Sequence, residues 1–337
     1  MICKMQPPAV LVAGWLGMAF ALASCSQAPE DWTIQGQAMG TSYTVRIPHP
    51  PAQMQRDELA ALLAAEIERV EALMSTYRPE SELSRFNYGS STDWVPVSVD
   101  TATVVAAAQE ISRQTGGAFD VTVGPLVELW GFGSRMDVHG RPSEEDIAEA
   151  ASHVGFQMLD VRQEPPALRK HDPALHVDLS AIAKGYGVDQ AGQVLVDLGI
   201  EDYMVEIGGD LKAAGYNNKG NPWRIAVERP IPGDQALLEV VAVEDMAIAT
   251  SGDYRNFFVE GGVLYSHTID PRTQRPVTHH IASVSVRAAS AMLADGWATA
   301  LLVVGPDGME IARANEISAL MVERLGEELR EIPSANW

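Results

Sequence analysis

The order of strand-like and helix-like segments is the feature that most constrains the fold of this chain. Strand-like runs alternate polar residues with apolar or β-branched ones, as at 41–47 and 203–207. Helix-like runs repeat apolar residues every three or four positions, as at 57–74 and 291–304. The two kinds of segment do not alternate strictly one for one. This order predicts an α+β fold of mixed sheet and helix.

The remaining predicted elements complete this outline. Strands are predicted at 95–97, 119–126, 154–161, 223–227, 237–243, 246–249, 257–265, 281–286 and 317–323. Helices are predicted at about 101–115 behind an Asp100 cap, over about ten residues behind a Ser143–Asp146 capping box, up to about Leu198, and at about 308–315. The segment after the first helix, which carries Tyr77 and residues 84–87, is predicted to be a loop.

The first 25 residues have the pattern of a targeting segment. Lys4 supplies a weakly positive start, and Ala9 to Ala23 is an uncharged run of 15 residues. Such a run is too short to be assigned as a membrane span and is typical of a signal peptide. It ends in Leu22-Ala23-Ser24-Cys25, which matches the bacterial lipobox, with Cys25 as the lipidated residue. A plain secretory signal or a short membrane anchor is the alternative.

We therefore divide the chain into three parts: a lipoprotein signal peptide at 1–24, a lipidated tether at 25–31 and one folded domain at 32–337. The expected location is the bacterial envelope, lipid-anchored to the inner or outer membrane and facing the periplasm. The sequence has two cysteines, Cys3 and Cys25. The folded domain therefore has no disulfide and no cysteine nucleophile, and its stability must come from its core.

The charge balance restricts the ligands of the domain. With 45 acidic and 24 basic residues, the net charge is -21. An acidic surface of this kind repels nucleic acid and anionic lipid head groups. We expect no nucleic-acid partner, and a polyanionic ligand would need a local cation from a metal ion or a lysine.

One stretch, His176 to Asp189, combines chemistry with a turn into a helix. A strand–turn–helix junction collects backbone amides where anions bind. A carboxylate, a hydroxyl and an ammonium, from Asp178, Ser180 and Lys184, lie in the same turn. The alternative is a helix capped by Ser180, with the two charged side chains solvated.

A second stretch, downstream, carries a possible metal site. Asp295 and Thr299 are four residues apart in a predicted helix, so they share one face. A carboxylate and a hydroxyl in this arrangement can bind a hard divalent cation such as Mg²⁺. The alternative is an ordinary solvated helix start.

Together these stretches resemble the ApbE family, the FAD:protein FMN transferases. Further motifs occur in the family's order over roughly residues 32 to 325: Ala38-Met39-Gly40-Thr41, Ser75-Thr76-Tyr77, 81–87, 117–126, Glu206-Ile207-Gly208-Gly209-Asp210 and 267–273. The resemblance implies a mixed sheet and helix fold with a flavin-nucleotide cleft between two lobes. It also implies Mg²⁺ held by Asp295, Thr299 and the backbone carbonyl of Ala181. Ala298 stands where one family variant has a second acid.

The resemblance implies catalytic roles for His267, Lys184 and Asp295. The FAD contacts that it implies are Met39, Tyr77, Ala118, Phe119, Asp120, Asp178, Lys184, His267 and Ile269.

On the residues alone, several of these positions keep a structural alternative. Met39 fits a buried side chain before a strand, Tyr77 fits a plug at a helix end, and Asp120 fits a carboxylate bonded to backbone. His267 fits equally a proton acceptor or a hydrogen-bonded strand histidine. Residues 279–280 are not taken as metal ligands, because adjacent strand residues point to opposite faces.

The function that follows from the resemblance is Mg²⁺-dependent transfer of the FMN moiety of FAD to a Thr or Ser hydroxyl, with release of AMP. The expected partners are FAD, acceptor redox proteins with a Thr/Ser flavinylation motif, and the membrane through the lipid anchor. The alternatives are an FAD pyrophosphatase, a non-catalytic FAD-binding lipoprotein and a structural envelope lipoprotein. Tyr77 favours the transferase over the hydrolase, and the Asp295–Thr299 pair favours catalysis over binding alone.

Overall fold

The described part of the chain starts one residue before the predicted domain. The computed structural model describes residues 31–133, 140–231, 233, 236–254, 256–261 and 263–337. The predicted signal peptide, Cys25 and most of the tether lie outside these residues. Within them, no helix is long and apolar enough to cross a bilayer.

The helices and strands have the following bounds. The helices are α1 (Arg56–Met74), α2 (Glu82–Tyr88), α3 (Val99–Gln114), α4 (Gly124–Leu129), α5 (Glu144–Ala151), α6 (Ala183–Asp197), α7 (Ala291–Val304) and α8 (Gly308–Ala314). The strands are β1 (Trp32–Ala38), β2 (Thr41–Ile47), β3 (Val95–Pro96), β4 (Leu159–Gln163), β5 (Pro166–Lys170), β6 (Tyr203–Ile207), β7 (Asp210–Ala214), β8 (Trp223–Glu228), β9 (Leu237–Val243), β10 (Met246–Gly252), β11 (Phe257–Glu260), β12 (Val263–Ser266), β13 (Ile269–Asp270), β14 (Arg275–Pro276), β15 (Ile281–Ala288), β16 (Ser318–Leu325) and β17 (Glu328–Pro333).

A large antiparallel sheet organises the fold. Among the described residues it has eight strands in the order β1-β2-β6-β7-β10-β15-β16-β17. Tight turns join β1 to β2, β6 to β7 and β16 to β17, and each contains left-handed backbone: Met39 and Gly40, Gly208 and Gly209, and Gly326, respectively. The predicted α+β class is confirmed.

The two faces of this sheet carry different layers. Because side chains alternate along a strand, Ala247 and Ala249 of β10 join the main core, while Ile248 joins a second core with Leu211 and Ala213 of β7. Helices α1, α3, α6 and α7 build the main core. The β8–β9 hairpin covers the second core. Helices α4 and α5 form a third, smaller core with β13.

A pair of polar side chains fixes the chain just ahead of the predicted catalytic turn. The side-chain amide of Asn87 on α2 both donates to Val177 O and accepts from Val177 N–H, each at 2.8 Å. Lys170 is 1% exposed, and its ammonium donates to three backbone carbonyls, including Asn87 O and Pro173 O at 2.8 Å. Segment 173–177 is thereby held against α2 without belonging to a strand.

Several predicted elements match the structure closely. The helix at 291–304 is confirmed as α7, the strand at 41–47 as β2, and the helix at 57–74 begins one residue earlier. Ser143 caps α5 as predicted, accepting from Asp146 N–H at 3.1 Å.

Other predictions were wrong for identifiable local reasons. Residues 119–126 are not a strand, since α4 begins at Gly124 with a proline in its first turn. Ser98, not Asp100, caps α3, because its hydroxyl accepts from Thr101 N–H at 3.1 Å. Residues 84–87 belong to helix α2 rather than a loop. The return to a strand begins at Leu159 rather than at 154, and strands β1, β7, β13, β14 and β17 were missed. The single strand predicted at 257–265 is two antiparallel strands, β11 and β12.

Candidate active site

Helices α6 and α7 cross so closely that only glycine fits at the contact. A Cβ on Gly185 would lie 2.1 Å from the carbonyl oxygen of Ala291. The Gly185 N–H is also used across the crossing, donating to Asp295 Oδ2 at 3.1 Å. The missing side chain therefore brings Lys184, the preceding residue, next to Asp295.

Asp189 fixes the same crossing at a second point. Its carboxylate accepts from Ala291 N–H at 3.1 Å, Met292 N–H at 3.0 Å and the Ser290 hydroxyl at 2.8 Å. A carboxylate at a helix N-terminus satisfies free amides and favours the helix dipole. Lys212 of β7 lies 3.0 Å from the same carboxylate and ties the sheet to both helices.

A compact charge cluster lies at the crossing. The Lys184 ammonium is 2.8 Å from Asp210 Oδ2 and 3.3 Å from each carboxylate oxygen of Asp295. Asp210 and Asp295 are 3% and 2% exposed. Asp210 comes from the start of β7, and Leu211 of that strand faces the second core, so strand alternation turns Asp210 toward the helices.

The charged groups of this cluster shift one another's pKa values. Burial raises the pKa of Asp210 above its usual range, and the negative charge of Asp295 raises it further, against the opposing effect of Lys184. Burial lowers the pKa of Lys184, but the carboxylates of Asp210 and Asp295 outweigh burial, so this pKa is raised. Lys184 therefore stays positively charged at neutral pH, with two nearly buried acids beside it.

The oxygen atoms around this cluster fit a hard divalent cation. Asp210 Oδ2 is buried and has no aligned hydrogen-bond donor among the described residues, although Lys184 lies near it. Asp295 and Thr299 lie one turn apart on α7, as predicted, and Thr299 Oγ1 shares a 2.9 Å hydrogen bond with Ser251 Oγ. Ala181 lies in the turn directly before α6.

The protein supplies only part of a coordination sphere here. No group of three or more His, Cys, Asp or Glu side chains in the described chain is placed to hold a metal ion. Magnesium characteristically uses one or two carboxylates and completes its sphere with water and substrate phosphates. The donors at Asp295, Thr299 and Ala181 therefore suit a metal ion that binds together with a phosphate ligand.

His267 is held in one tautomer near this cluster. Its Nδ1 lies 3.0 Å from the carbonyl oxygen of Asn256, and a carbonyl can only accept, so Nδ1 carries the hydrogen. Burial lowers the pKa of His267, and the nearby positive charge of Lys184 lowers it too, against the effect of the Asn256 carbonyl. The ring is therefore mostly neutral at pH 7, and its Nε2 has no hydrogen-bond partner among the described residues.

Two of the predicted FAD contacts, Tyr77 and Asp178, are at least partly exposed to solvent. Tyr77 is 62% exposed, so it does not plug the helix end. Burial raises the pKa of Tyr77, and the negative charges of Asp178 and Glu128 raise it further. Asp178 Oδ1 accepts from Ser180 N–H at 2.8 Å. The N-cap position of α6 is Ile182, so the alternative of a helix capped by Ser180 was wrong.

Met39 lies beside α6 in a strained turn. Its φ is 52°, which is unusual for a residue with a side chain. Its N–H donates to Glu71 Oε2 at 2.9 Å, and its sulfur is 3.0 Å from where a Cβ on Gly187 would be. Both contacts hold this turn against α1 and α6.

The predicted contacts at 118–120 have their side chains committed to the interior. Ala118 and Phe119 are 1% and 3% exposed. The Asp120 carboxylate accepts from Thr122 N–H, from the Thr122 hydroxyl and from Phe156 N–H, each at 2.7 Å. The alternative of a backbone-bonded carboxylate therefore describes Asp120. Ile269 is buried in the third core.

Three side chains in or beside the charge cluster were not predicted as site residues from the sequence: Asp210, Asp189 and Ser251. Asp210 was noted only as the end of a Gly-Gly-Asp turn, and Asp189 only as the end of the 176–189 stretch. Their roles depend on contacts across the sheet and between helices, which local spacing does not reveal.

Comparison with known proteins places this arrangement in a family. Residues 39–321 match the ApbE family. The FAD:protein FMN transferase of Vibrio cholerae serotype O1 is 43% identical over 323 residues, which cover 96% of this chain and 96% of that protein. Its counterpart in Haemophilus influenzae is 40% identical, with 92% and 91% coverage. The solved structure of the flavin transferase ApbE from Vibrio cholerae superposes with a TM-score of 0.84 at 43% identity, covering 91% of this chain and 98% of that one. The chain belongs to the ApbE family.

Proposed function

We propose that this protein transfers the FMN moiety of FAD to a Thr or Ser hydroxyl of a target flavoprotein and releases AMP. The relatives named as FAD:protein FMN transferases over nearly their full length support this activity. The observation that carries it for this chain is the cluster of Lys184, Asp210 and Asp295 at the α6–α7 crossing, with the Thr299 hydroxyl one turn beyond Asp295.

The proposed reaction is a phosphoryl transfer within the FAD diphosphate. The acceptor hydroxyl oxygen forms a bond to the phosphorus of the FMN half, and the bond from that phosphorus to the bridging oxygen breaks. AMP leaves with the bridging oxygen, and the hydroxyl proton moves to Nε2 of His267. His267 suits this role because it is neutral and its Nδ1 hydrogen is already engaged by Asn256.

Charge neutralisation is the main demand of such a reaction. Lys184 holds a positive charge beside the diphosphate, and Asp210 and Asp295 keep its ammonium in place. Mg²⁺ would be held by Asp295, Thr299 and the Ala181 carbonyl, and when bound it neutralises phosphate charge. The Ala298 side chain is fully buried and has no oxygen donor, so Asp210, which lies 2.8 Å from the Lys184 ammonium, would supply the second carboxylate near a bound metal ion.

The remaining contacts serve binding. We place the FAD nucleotide along Met39, Tyr77 and Asp178, which surround the turn into α6, and against the backbone of 118–120. Ile269 would shape the site from the third core, beside His267. The exposure of Tyr77 leaves its ring free to cover a ligand.

We further propose that the mature chain is lipidated at Cys25 and faces the periplasm from the inner or outer membrane. The support is the uncharged run that ends in Leu22-Ala23-Ser24-Cys25. Two or more acyl chains anchor a protein stably, while one chain does not.

The deciding experiment incubates the full chain with FAD, Mg²⁺ and a protein carrying a Thr/Ser flavinylation motif, followed by mass spectrometry. An FMN adduct on the acceptor with an equal amount of AMP is the expected result. Free FMN and AMP without an adduct would identify an FAD pyrophosphatase. Intact bound FAD would identify a non-catalytic FAD-binding protein. An acceptor whose motif hydroxyl is replaced by Ala controls for adventitious labelling.

A further inference from the structure

A cleft of about 670 Å³ opens on a part of the surface that shares no residue with the candidate active site. One wall is the start of β1 with the end of β2, and the other is the β8–β9 hairpin with the loop at 217–222 that precedes it. Two tryptophans, Trp32 and Trp223, are among its lining residues.

The cleft gathers cations that have no partner. Four Lys or Arg side chains of the described chain have no ion pair, hydrogen bond or ring contact with another described residue: Arg46, Lys219, Arg224 and Arg313. The first three line this cleft. The single acid in its lining is Asp31, whose carboxylate accepts a hydrogen bond from the Asn218 side chain. In a protein with a net charge of -21, such a cluster marks a place built for an anion.

The position of the cleft in the chain identifies the source of that anion. Asp31, the first described residue, is itself part of the lining. Cys25, the proposed lipidation site, is six residues earlier, and six extended residues span at most about 20 Å. An anchor at Cys25 therefore keeps this cleft near the membrane surface, whatever path the tether takes.

We propose that this cleft binds the head groups of anionic phospholipids and orients the anchored enzyme on its membrane. The proposal rests on the proposed lipid anchor, and it concerns a different surface from the flavin site. Guanidinium and ammonium groups bind phosphate through charge-assisted hydrogen bonds. The half-buried ring of Trp32 can lie at the boundary between head groups and acyl chains, whereas Trp223 is buried in the second core and only supports the wall of the cleft.

The overall negative charge does not oppose this arrangement. At physiological ionic strength, charges farther than about 8 Å apart are largely screened. The membrane therefore responds to the nearest surface, which is the face that carries Arg46, Lys219 and Arg224. The acidic remainder of the surface would then be directed away from the bilayer, where acceptor proteins approach.

The test uses the full chain bound to vesicles and an environment-sensitive fluorophore. In the mature lipidated form, where Cys3 has been removed with the signal peptide and the Cys25 sulfur is acylated, Asn221→Cys places a reactive thiol at the exposed rim of the cleft and keeps all three cations. The chain without this substitution controls for labelling elsewhere. Flotation with phosphatidylcholine vesicles first reports the anchor alone. Phosphatidylglycerol is then included in the vesicles, and fluorescence from the label reports the cleft.

The expected result is a shift of emission to shorter wavelength when phosphatidylglycerol is present, lost in about 1 M salt, where the Debye length is about 3 Å. The double change Arg46→Gln with Arg224→Gln should abolish the shift, whereas Arg313→Gln, the matched unpaired cation outside the cleft, should preserve it. Equal emission in both vesicle types, or equal loss in the Arg313→Gln variant, would overturn the proposal. The same shift with inorganic phosphate and pure phosphatidylcholine vesicles would also overturn it, by showing a site for soluble phosphate. Failure of flotation would instead contradict the anchor.

Discussion

The α6–α7 crossing at Gly185 offers the most direct test of how the active site is held. A Cβ at this position would lie 2.1 Å from the Ala291 carbonyl oxygen, and ordinary contacts begin at 3.4 Å. Because that oxygen belongs to the backbone of α7, the Gly185→Ala variant must separate the helices by about 1.3 Å. The hydrogen bond from Gly185 N–H to Asp295, now 3.1 Å long, would then be broken.

Both stability and activity should respond. Overpacking of this kind costs about 1–3 kcal/mol of unfolding free energy, partly offset by the roughly 1 kcal/mol that alanine gains over glycine in a helix. A displacement of about 1 Å in a catalytic group costs about 100-fold in rate. We therefore expect FMN transfer to fall about 100-fold, while urea denaturation shows a loss of about 2 kcal/mol or less.

Gly192→Ala is the matched control, because it lies on the same helix and its new Cβ meets the Tyr203 hydroxyl at 3.2 Å, a far smaller conflict. This control should keep its activity and lose no stability. Wild-type transfer by the Gly185→Ala variant would refute the idea that the crossing positions Lys184 and Asp295.

Three other perturbations probe the same site. Asp189→Ala removes the carboxylate that accepts from Ser290, Ala291 and Met292 at the start of α7 and leaves Lys212 without its partner, so urea denaturation should show a loss of about 1–2 kcal/mol. Because the pKa of His267 is lowered, its neutral form persists as pH falls. The transfer rate should therefore stay constant down to pH about 6.5 and decline only below it. This decline at low pH should be absent from the residual activity of His267→Gln. Chelation of metal ions by EDTA should abolish transfer, and added Mg²⁺ should restore it. Asp295→Asn should raise the half-saturating Mg²⁺ concentration at least tenfold. This shift would not occur if Asp295 had only a structural role.

Local sequence patterns correctly predicted those helices and strands in which one pattern of buried and exposed positions continues from end to end. Helix α7 and strand β2 each bury one continuous pattern, and their predicted bounds were confirmed. The pattern failed at 119–126, where β-branched residues suggested a strand. There the Asp120 side chain bonds to Thr122 and to the distant Phe156, which fixes a turn instead. A contact 36 residues away in sequence cannot be read from local propensity.

The candidate site likewise contains residues that could be assigned from the sequence and residues that could not. Asp295 and Thr299 could be paired from helical spacing alone, and the structure places them on one helix. Asp210 could not be assigned, because its role depends on the register of β7 in the sheet and on which face α6 covers. The resemblance to a known family supplied Lys184 and His267, whose roles the residue pattern left open.

The charges that join α6 to β7 also affect how the chain folds. Lys184 on α6 pairs with Asp210 on β7, and Asp189 on α6 pairs with Lys212 on β7, so the two pairs have opposite polarity. A one-residue slip of β7 would turn Asp210 and Lys212 toward the second core and leave the partner charges on α6 uncompensated. Misregistered intermediates are therefore disfavoured by the same side chains that form the active site. Substitutions here should survive in related proteins only when both members of a pair change together.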